Sequence, residues 1–332
     1  MRRMTLALAS AIALCGTPLY AEHHEEDQST EVAQLERGQW VTLGTRAGPL
    51  ASPTRSQPAN LLIADGQNIL VDVGDGTAGQ LAKLGIPTAA VDAVFLSHLH
   101  WDHTGGLNAI LGLRAQTNAP PLLKIYGPPG TQEMVAGLLA SMVPGATAGY
   151  GVPGAPNVDV NQLAQVVELR DRDSMEIAGA TVTVRNNTHY SFAPDSDLAA
   201  RFESLSFRFD LPDRSIVYTG DTGPSTEVEE LAQGADLLVA EMMDVSDTIA
   251  MVLRNNPRMP AAVAEGMERH LSEHHLLPVD VGEMASRANV GAVVVTHFAG
   301  RERGDPVHLE YLRQIADNYD GPVVIANDMD VF

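Results

Sequence analysis

Short apolar runs recur along the chain, and many of them end at a Gly, Asp or Asn. Their length and their content of Val, Ile and Leu predict buried β-strands, and longer segments with helical spacing predict helices between them. Strands are predicted at 61–64, 69–73, 91–96, 122–126, 180–184, 204–209, 215–219, 237–240, 292–296 and 323–326, and helices at 77–84, 131–142, 279–287 and 307–316. Strand-rich halves with helices outside predict an α/β fold, a sandwich of two mixed β-sheets flanked by helices (αββα).

Three connecting segments add detail to this pattern. Asp65-Gly66-Gln67-Asn68 lies between two predicted strands and has the composition of a hairpin turn. Residues 144–157 are rich in Gly and Pro, which predicts irregular structure there. The segment 245–273 is predicted to be an insertion over the functional site, and its methionines either line an apolar pocket or pack between helices.

Residues 1–21 have the pattern of a signal peptide. Arg2-Arg3 precedes the apolar stretch 6–14, which is too short to span a membrane, and small residues lead to Ala21. Cleavage after Ala21 would release a periplasmic or secreted protein. A lipoprotein anchored at Cys15 is the less favoured alternative.

The composition of the whole chain limits the classes of partner that it can bind and the residue types that can hold a metal. Residues 22–37 predict an acidic flexible tail, and 38–332 a single domain. Lys and Arg number 21 against 42 Asp and Glu, a net charge of −21, so the surface repels polyanions and nucleic acid is not expected as a partner. Cys15 is the only cysteine, so a chain processed after Ala21 must hold a metal through nitrogen and oxygen, which suits zinc, manganese or iron.

The segment His98-Leu99-His100-Trp101-Asp102-His103 directly follows the predicted strand 91–96. Three imidazoles and a carboxylate this close together are costly to bury without a partner, whereas they suit a first-row transition metal. A turn at the C-terminal end of a strand is also where open α/β sheets place their sites. The sequence therefore predicts a metal site at this turn.

Four more residues of a metal-binding type lie at or just after the end of an apolar run: Asp72, His189, Asp221 and His297. A single His or Asp at such a place is usually a cap or part of a surface turn. Two metal ions, however, need more ligands than the first segment supplies. Together with that segment, these residues indicate a dinuclear centre, and a mononuclear one stays open.

The order of these residues resembles the five-motif signature of the metallo-β-lactamase superfamily, and the resemblance extends from Leu43 to Asp328. It implies the αββα fold of that superfamily and a site for two zinc ions, with manganese or iron as alternatives. The resemblance assigns one ion to His98, His100 and His189, the other to Asp102, His103 and His297, and a bridge between them to Asp221. It also implies that Asp72 orients a ligating histidine through the ring nitrogen that does not bind metal.

Local detail is most similar to the branch that contains arylsulfatases and tRNA 3′-processing, ribonuclease Z-like nucleases. The segment that begins at His275 resembles the place where that branch carries a histidine that protonates the leaving group. Glu241 matches the acidic residue that holds this histidine, and Asp102 would orient the attacking water. Leu277 departs from the nuclease pattern, and the sequence has no basic Gly-rich arm of the kind that grips tRNA.

The expected function is that of an exported zinc-dependent hydrolase. It would use a metal-activated water to cleave a small-molecule ester, in an arylsulfatase-like or phosphodiesterase-like reaction. A lactonase or β-lactamase-type hydrolase, a ribonuclease Z-like nuclease and a metal-binding module without activity stay open as alternatives. No membrane span is expected, and a homodimer is left open. His270, His274 and His308 are interpreted as surface residues.

Overall fold

The computed structural model describes residues 38–332 except 49, 118, 120, 121 and 155–157. The predicted signal peptide and the predicted acidic tail lie outside the described residues, so both stay predictions, as does export. Among the helices that the structure describes, none has the length and apolar character needed to cross a membrane.

An antiparallel unit begins the fold. In it β1 (Gln39–Gly44), β2 (Ala59–Ala64) and β3 (Gln67–Val73) pair in sequence order. Asp65 and Gly66 connect β2 to β3 with φ angles of 46° and 74°, and a two-residue type I′ turn requires positive φ at both positions. The predicted hairpin is therefore confirmed.

Parallel pairing extends this unit into a six-stranded sheet. The added strands are β4 (Val91–Phe95), β5 (Leu123–Gly127) and β6 (Ala164–Glu168). Parallel neighbours need long crossover connections, which usually contain helices. Here these connections contain α1 (Thr77–Lys83), α2 (Trp101–Thr104), α3 (Leu107–Gln116) and α4 (Thr131–Ala148).

The second half of the chain forms a seven-stranded sheet of the same mixed kind. Its strands are β7 (Ser174–Ile177), β8 (Ala180–Asn186), β9 (Leu205–Asp210), β10 (Ser215–Tyr218), β11 (Leu237–Met243), β12 (Val293–Ala299) and β13 (Val323–Ile325). Neighbours from β7 to β10 run antiparallel, and those from β10 to β13 run parallel. The helices of this half are α5 (Asp197–Arg201), α6 (Thr226–Ala232), α7 (Val245–Asn255), α8 (Ala261–His274), α9 (Pro278–Arg287) and α10 (Pro306–Ala316).

Apolar side chains fill the space between the two sheets and beneath the helices. The central cluster joins side chains from both sheets, including Trp40, Phe95, Phe207 and Tyr218. Burying a side chain such as Phe95 stabilises the fold by roughly 1.5–3 kcal/mol. Two further clusters pack helices onto the outer face of each sheet. The predicted αββα sandwich is thus confirmed.

The helix α4 departs from the prediction, because it continues to Ala148 and contains Pro144, whereas irregular structure was expected from residue 144. Proline removes the hydrogen bond to the carbonyl four residues earlier, here that of Ala140. Ala140 and Pro144 are both exposed, so water can satisfy that carbonyl and the helix can continue for another turn.

Candidate metal centre

The seven predicted metal ligands come together at one edge of the sandwich. They follow β4, β8 and β10 or lie within β12, and they are His98, His100, Asp102, His103, His189, Asp221 and His297. They form overlapping groups of three in which the donor atoms lie within 4.8 Å of one another. Sequence-distant residues thus meet because the ends of these strands share one edge.

The first group contains His98, His100 and His189. His189 Nε2 lies 3.1 Å from His100 Nδ1, and the His98 ring centroid is 4.6 Å from each of the other two. His98 and His189 are buried, whereas His100 is exposed. This side of the centre is therefore open to a substrate.

The second group contains Asp102, His103 and His297. Asp102 Oδ2 lies 3.6 Å from His103 Nε2 and 3.5 Å from His297 Nε2. The same oxygen accepts a hydrogen bond from the amide of Gly48 at 3.0 Å. A Cβ on residue 48 would lie 2.2 Å from that oxygen, so only glycine lets the amide approach Asp102 this closely.

Asp221 lies between the two groups. Its Oδ1 is 3.2 Å from His103 Nε2, and its Oδ2 is 3.1 Å from His297 Nε2. Toward the first group, Oδ2 is 3.8 Å from His98 Nε2 and 3.9 Å from His189 Nε2. A carboxylate in this position can contact an ion in either group.

Several of the candidate donor atoms are buried and have no hydrogen-bond partner, as expected for atoms that bind a metal ion. Among the described residues, the buried atoms His98 Nε2, His103 Nε2, His297 Nε2 and Asp221 Oδ1 make no hydrogen bond. Buried polar atoms without a partner are rare in proteins and cost free energy. Nitrogen and carboxylate oxygen at these separations suit divalent transition metals, so the residues present fit a dinuclear site.

Charge coupling within the cluster shifts several pKa values. Burial lowers the pKa of His98 and of His189 well below the ordinary value, so both rings are neutral and able to bind metal. Burial would also lower the pKa of His103, but the carboxylates of Asp221, Asp102 and Asp72 raise it well above that value. Burial would raise the pKa of Asp221, yet His103 and His297 lower it.

Asp72 lies behind the candidate ligands and contacts His103 through the ring nitrogen that faces away from the cluster. Its Oδ2 is 2.7 Å from His103 Nδ1 and accepts the hydroxyls of Tyr218 and Ser97, while its Oδ1 accepts the Ser97 amide. The carboxylate thus fixes both the tautomer and the orientation of His103. Asp72 is completely buried.

Two β-bulges aim polar side chains at this edge. Asp72 lies between Val71 and Val73, whose partners on β2 are consecutive, and its φ is 58°. On β12, Thr296 and His297 face one residue of β11, and the φ of His297 is 38°. A left-handed backbone at a residue other than glycine costs about 1–3 kcal/mol and clusters at functional sites.

Glu241 and His275 form a buried pair beside the cluster. His275 Nδ1 is 2.7 Å from Glu241 Oε2, and Glu241 Oε1 accepts the amide of Thr222 at 2.6 Å. Burial lowers the pKa of His275, and burial together with Asp221 raises that of Glu241. His275 also belongs to a group of three with Asp221 and His297, so its ring lies beside the candidate ligands.

The segment 245–273 forms α7 and most of α8, and the end of α8 contacts the centre. A Cβ on Gly223 would lie 2.2 Å from the carbonyl oxygen of Glu273, so the glycine allows the two backbones to touch. Met267 packs in a small apolar cluster with Leu271, whereas the Sδ of Met251 lies 3.3 Å from Arg46. That this segment is an insertion stays a prediction.

Of the three histidines interpreted as surface residues, His308 is buried, whereas His270 and His274 are half-buried and contact residues of the centre. His270 packs against His189 with ring centroids 5.5 Å apart, and His274 Nδ1 contacts the carbonyl of Thr188. His308 is buried against Phe298. The spacing of His270 and His274 places both on one face of a helix, and this signal was available in the sequence.

Comparison with known proteins places this centre in a family. A family profile described as "Beta-lactamase superfamily domain" matches residues 67–298. A ribonuclease Z of Mycobacterium avium is 31% identical over 261 residues, which cover 78% of this chain and 85% of that protein. The metallo-β-lactamase fold protein YhfI of Bacillus subtilis superposes with a TM-score of 0.64 and 19% identity, covering 89% of this chain and 98% of its own. Human tRNase Z, short form, superposes with a TM-score of 0.60 and 21% identity over the same shares.

These relatives overturn two expectations and confirm others. An arylsulfatase-like hydrolase of a small ester finds no support, because the matched relatives are named ribonuclease Z, one of the alternatives left open. The exclusion of nucleic acid is wrong for the same reason: a sum of charges over the chain does not describe the field at a site whose residues could hold divalent cations. A metal-dependent hydrolase of ester bonds is confirmed. Since the profile matches more than half of its residues, the chain belongs to the β-lactamase superfamily domain family, in agreement with the resemblance found in its sequence.

Proposed function

We propose that this chain is a metal-dependent phosphodiesterase that hydrolyses RNA in the manner of ribonuclease Z. The observation that carries the proposal is the buried pair of His275 and Glu241 next to Asp221 and His297. An imidazole held by a carboxylate at the edge of a metal centre is placed to protonate a departing alkoxide. The similarity to ribonuclease Z along most of the chain supports the same substrate class.

We propose zinc as the metal, with two ions per chain. The residues that would hold them are His98, His100 and His189 for one ion, Asp102, His103 and His297 for the other, and Asp221 for both. When bound, such ions supply Lewis acidity, which lowers the pKa of water and offsets negative charge on phosphoryl oxygens. Nitrogen and oxygen ligands in small groups are those that zinc accepts.

The side chains of this site orient the attacking water and protonate the leaving group. Asp102 is partly exposed and accepts a hydrogen bond from the attacking water, which orients the water toward phosphorus. As the water gives one proton to the Asp102 carboxylate, its oxygen forms the new bond to phosphorus, and the bond from phosphorus to the leaving oxygen breaks. His275 Nε2 gives its proton to that leaving oxygen while Nδ1 takes up the proton it shares with Glu241, so the ring stays neutral.

The proposal is tested with a precursor tRNA that carries a 3′ trailer, beside bis(p-nitrophenyl) phosphate and p-nitrophenyl sulfate. The zinc-loaded chain should cleave both phosphodiesters and leave the sulfate intact. His103→Ala should abolish cleavage, whereas the matched variant His308→Gln, which removes a buried histidine away from the centre, should retain it. Turnover of the sulfate alone, or of neither diester with two zinc ions bound, would refute the proposal.

The role of His275 has its own test in the dependence on the leaving group. His275→Ala should slow release of an alkoxide about 10²- to 10⁴-fold, because an alkoxide needs a proton to leave. Release of p-nitrophenolate, a far weaker base, should fall much less. An equal loss with both leaving groups would show that His275 is not the acid.

A further inference from the structure

His270, which was not predicted to belong to the site, lies on α8 next to the candidate metal ligands. His270 lies one turn before His274 on α8, and its ring centroid is 5.7 Å from that of His275. His189, His270 and His275 each bring a side-chain nitrogen within 4.8 Å of the others. The hydrolysis described above uses His189 as a ligand and His275 as an acid, and leaves His270 without a part.

His270 and His275 each have a side-chain partner at Nδ1, an exposed serine for His270 and a buried carboxylate for His275. Ser191 Oγ lies 2.8 Å from His270 Nδ1, just as Glu241 Oε2 lies 2.7 Å from His275 Nδ1. A serine hydroxyl that donates to Nδ1 leaves the Nε2–H of the ring as a donor. An imidazole fixed in this way can contact a bound molecule with little further loss of side-chain freedom.

A third metal ion would be the competing occupant of this group, but His189 is poorly suited to bind it. His189 Nε2 lies 3.1 Å from His100 Nδ1, and its Nδ1 lies 3.4 Å from the carbonyl oxygen of His274. Both nitrogens of His189 therefore face other groups already. The geometry favours a contact between His270 and the substrate.

We propose that His270 positions the substrate, with its Nε2–H donating a hydrogen bond to a non-bridging oxygen of the scissile phosphodiester. This inference rests on the proposed function, since it names the group that holds the phosphate beside the acid His275. The two rings lie at 88° to each other, and one nitrogen of each lies within 4.8 Å of the other, close enough for both to contact one bound phosphate. A hydrogen bond to an anionic phosphoryl oxygen is stronger than one between neutral groups.

Two substitutions of His270 separate a substrate contact from a structural one. Asparagine matches the position of Nδ1, so His270→Asn keeps the contact with Ser191 and loses the donor at Nε2. Glutamine matches the position of Nε2, so His270→Gln keeps the donor and loses the contact with Ser191. The proposal expects the glutamine variant to be the more active one, and a structural role expects the reverse.

The expected result is a change in KM. His270→Asn should raise the KM for bis(p-nitrophenyl) phosphate roughly 10- to 100-fold, the effect of one hydrogen bond to a charged group, with little change in kcat. His275→Ala should instead act on kcat with poor leaving groups. Glu265→Gln, an exposed change on the same helix, should leave both constants unchanged.

Binding of dimethyl phosphate, a diester too inert to be cleaved, gives a second readout by calorimetry on the zinc-loaded chain. Its Kd should rise in His270→Asn by about the same factor as KM. An unchanged Kd and KM in an active enzyme, or the loss of one bound zinc from His270→Asn, would overturn the proposal. A wild-type chain that cleaves no phosphodiester would refute the proposed function itself.

Discussion

Among single residues, Asp72 shows how far the metal centre depends on a side chain outside the ligand set. All four of its contacts, from His103, Tyr218 and twice from Ser97, come from donors, and a carboxylate accepts them all. Asparagine has the same size but offers only one acceptor oxygen. In Asp72→Asn at least one of these donors therefore loses its acceptor. The hydrogen bonds around residue 72 then rearrange, and the ring of His103 loses its fixed orientation.

The expected outcome for Asp72→Asn is zinc affinity about 10- to 100-fold weaker, the usual effect of losing such a supporting contact. Competition with a chromophoric chelator measures this directly. Asp320→Asn, at an exposed position, is the matched control and should bind zinc like the wild type. Equal affinities in the two variants would mean that His103 is held in place without Asp72.

At the scale of elements, the N-cap of α7 also connects this helix to α10. Asp244 caps α7 by accepting the amide of Asp247 at 2.9 Å, and it accepts the hydroxyl of Tyr311 at 2.7 Å. Asp244→Ala removes both contacts and should lower the free energy of unfolding by about 1 kcal/mol. Urea unfolding measures the difference, and Asp320→Ala should leave the free energy unchanged. A wild-type value in Asp244→Ala would contradict this role.

The same cap gives a pH dependence of stability with a definite sign. Burial would raise the pKa of Asp244, but the hydrogen bonds from Asp247 and Tyr311 outweigh it and lower the pKa. A carboxylate with a lowered pKa stabilises the fold above its ordinary value, about 4, and loses that effect as the pH falls through the folded value. The gap between wild type and Asp244→Ala should therefore be full near pH 7 and shrink in acid; a gap that widens in acid would reverse the sign.

The contact between Gly223 and Glu273 fixes where α8 ends. A methyl group on residue 223 would meet a backbone carbonyl, which cannot move aside as a side chain can. Gly223→Ala should cost about 1–3 kcal/mol and displace the turn that carries His275. Its kcat for RNA should fall while zinc content stays at the wild-type value, as assayed by metal analysis of the purified variant.

Gly266 provides the control for that substitution on the same helix. It lies inside α8 with open space around its Cβ position, so Gly266→Ala should stabilise the fold by roughly 0.5–1 kcal/mol and leave kcat unchanged. A Gly223→Ala enzyme with wild-type kcat would show that the end of α8 can move without effect on the reaction.

For the molecule as a whole, the sandwich and the meeting of the candidate ligands at one edge could be predicted because both follow from local patterns. Apolar runs mark strands, and the ligands stand where those runs end. The bulges at Asp72 and His297 could not be predicted, since their φ angles depend on pairing with strands distant in sequence. The spacing of His270 and His274 indicates one face of a helix, but the contact of that face with His189 depends on how α8 packs against the loop of His189, which the sequence pattern does not show.

The net charge of −21 is unusual for a protein with the proposed RNA substrate, and ionic strength tests how the chain and the RNA associate. Proteins that bind nucleic acid through basic surfaces lose affinity steeply as salt rises. A net charge of −21 repels a polyanion over the molecule as a whole, and the proposed zinc ions would attract it at the centre, so screening of the net charge should help association. Raising ionic strength from about 0.01 M to about 0.1 M shortens the screening length from about 30 Å to about 10 Å, and kcat/KM for a precursor tRNA should rise.

The small diester bis(p-nitrophenyl) phosphate is the control. It carries a single charge, so its kcat/KM should change much less. A steep fall for the tRNA would instead mean that a basic patch on the chain carries the binding.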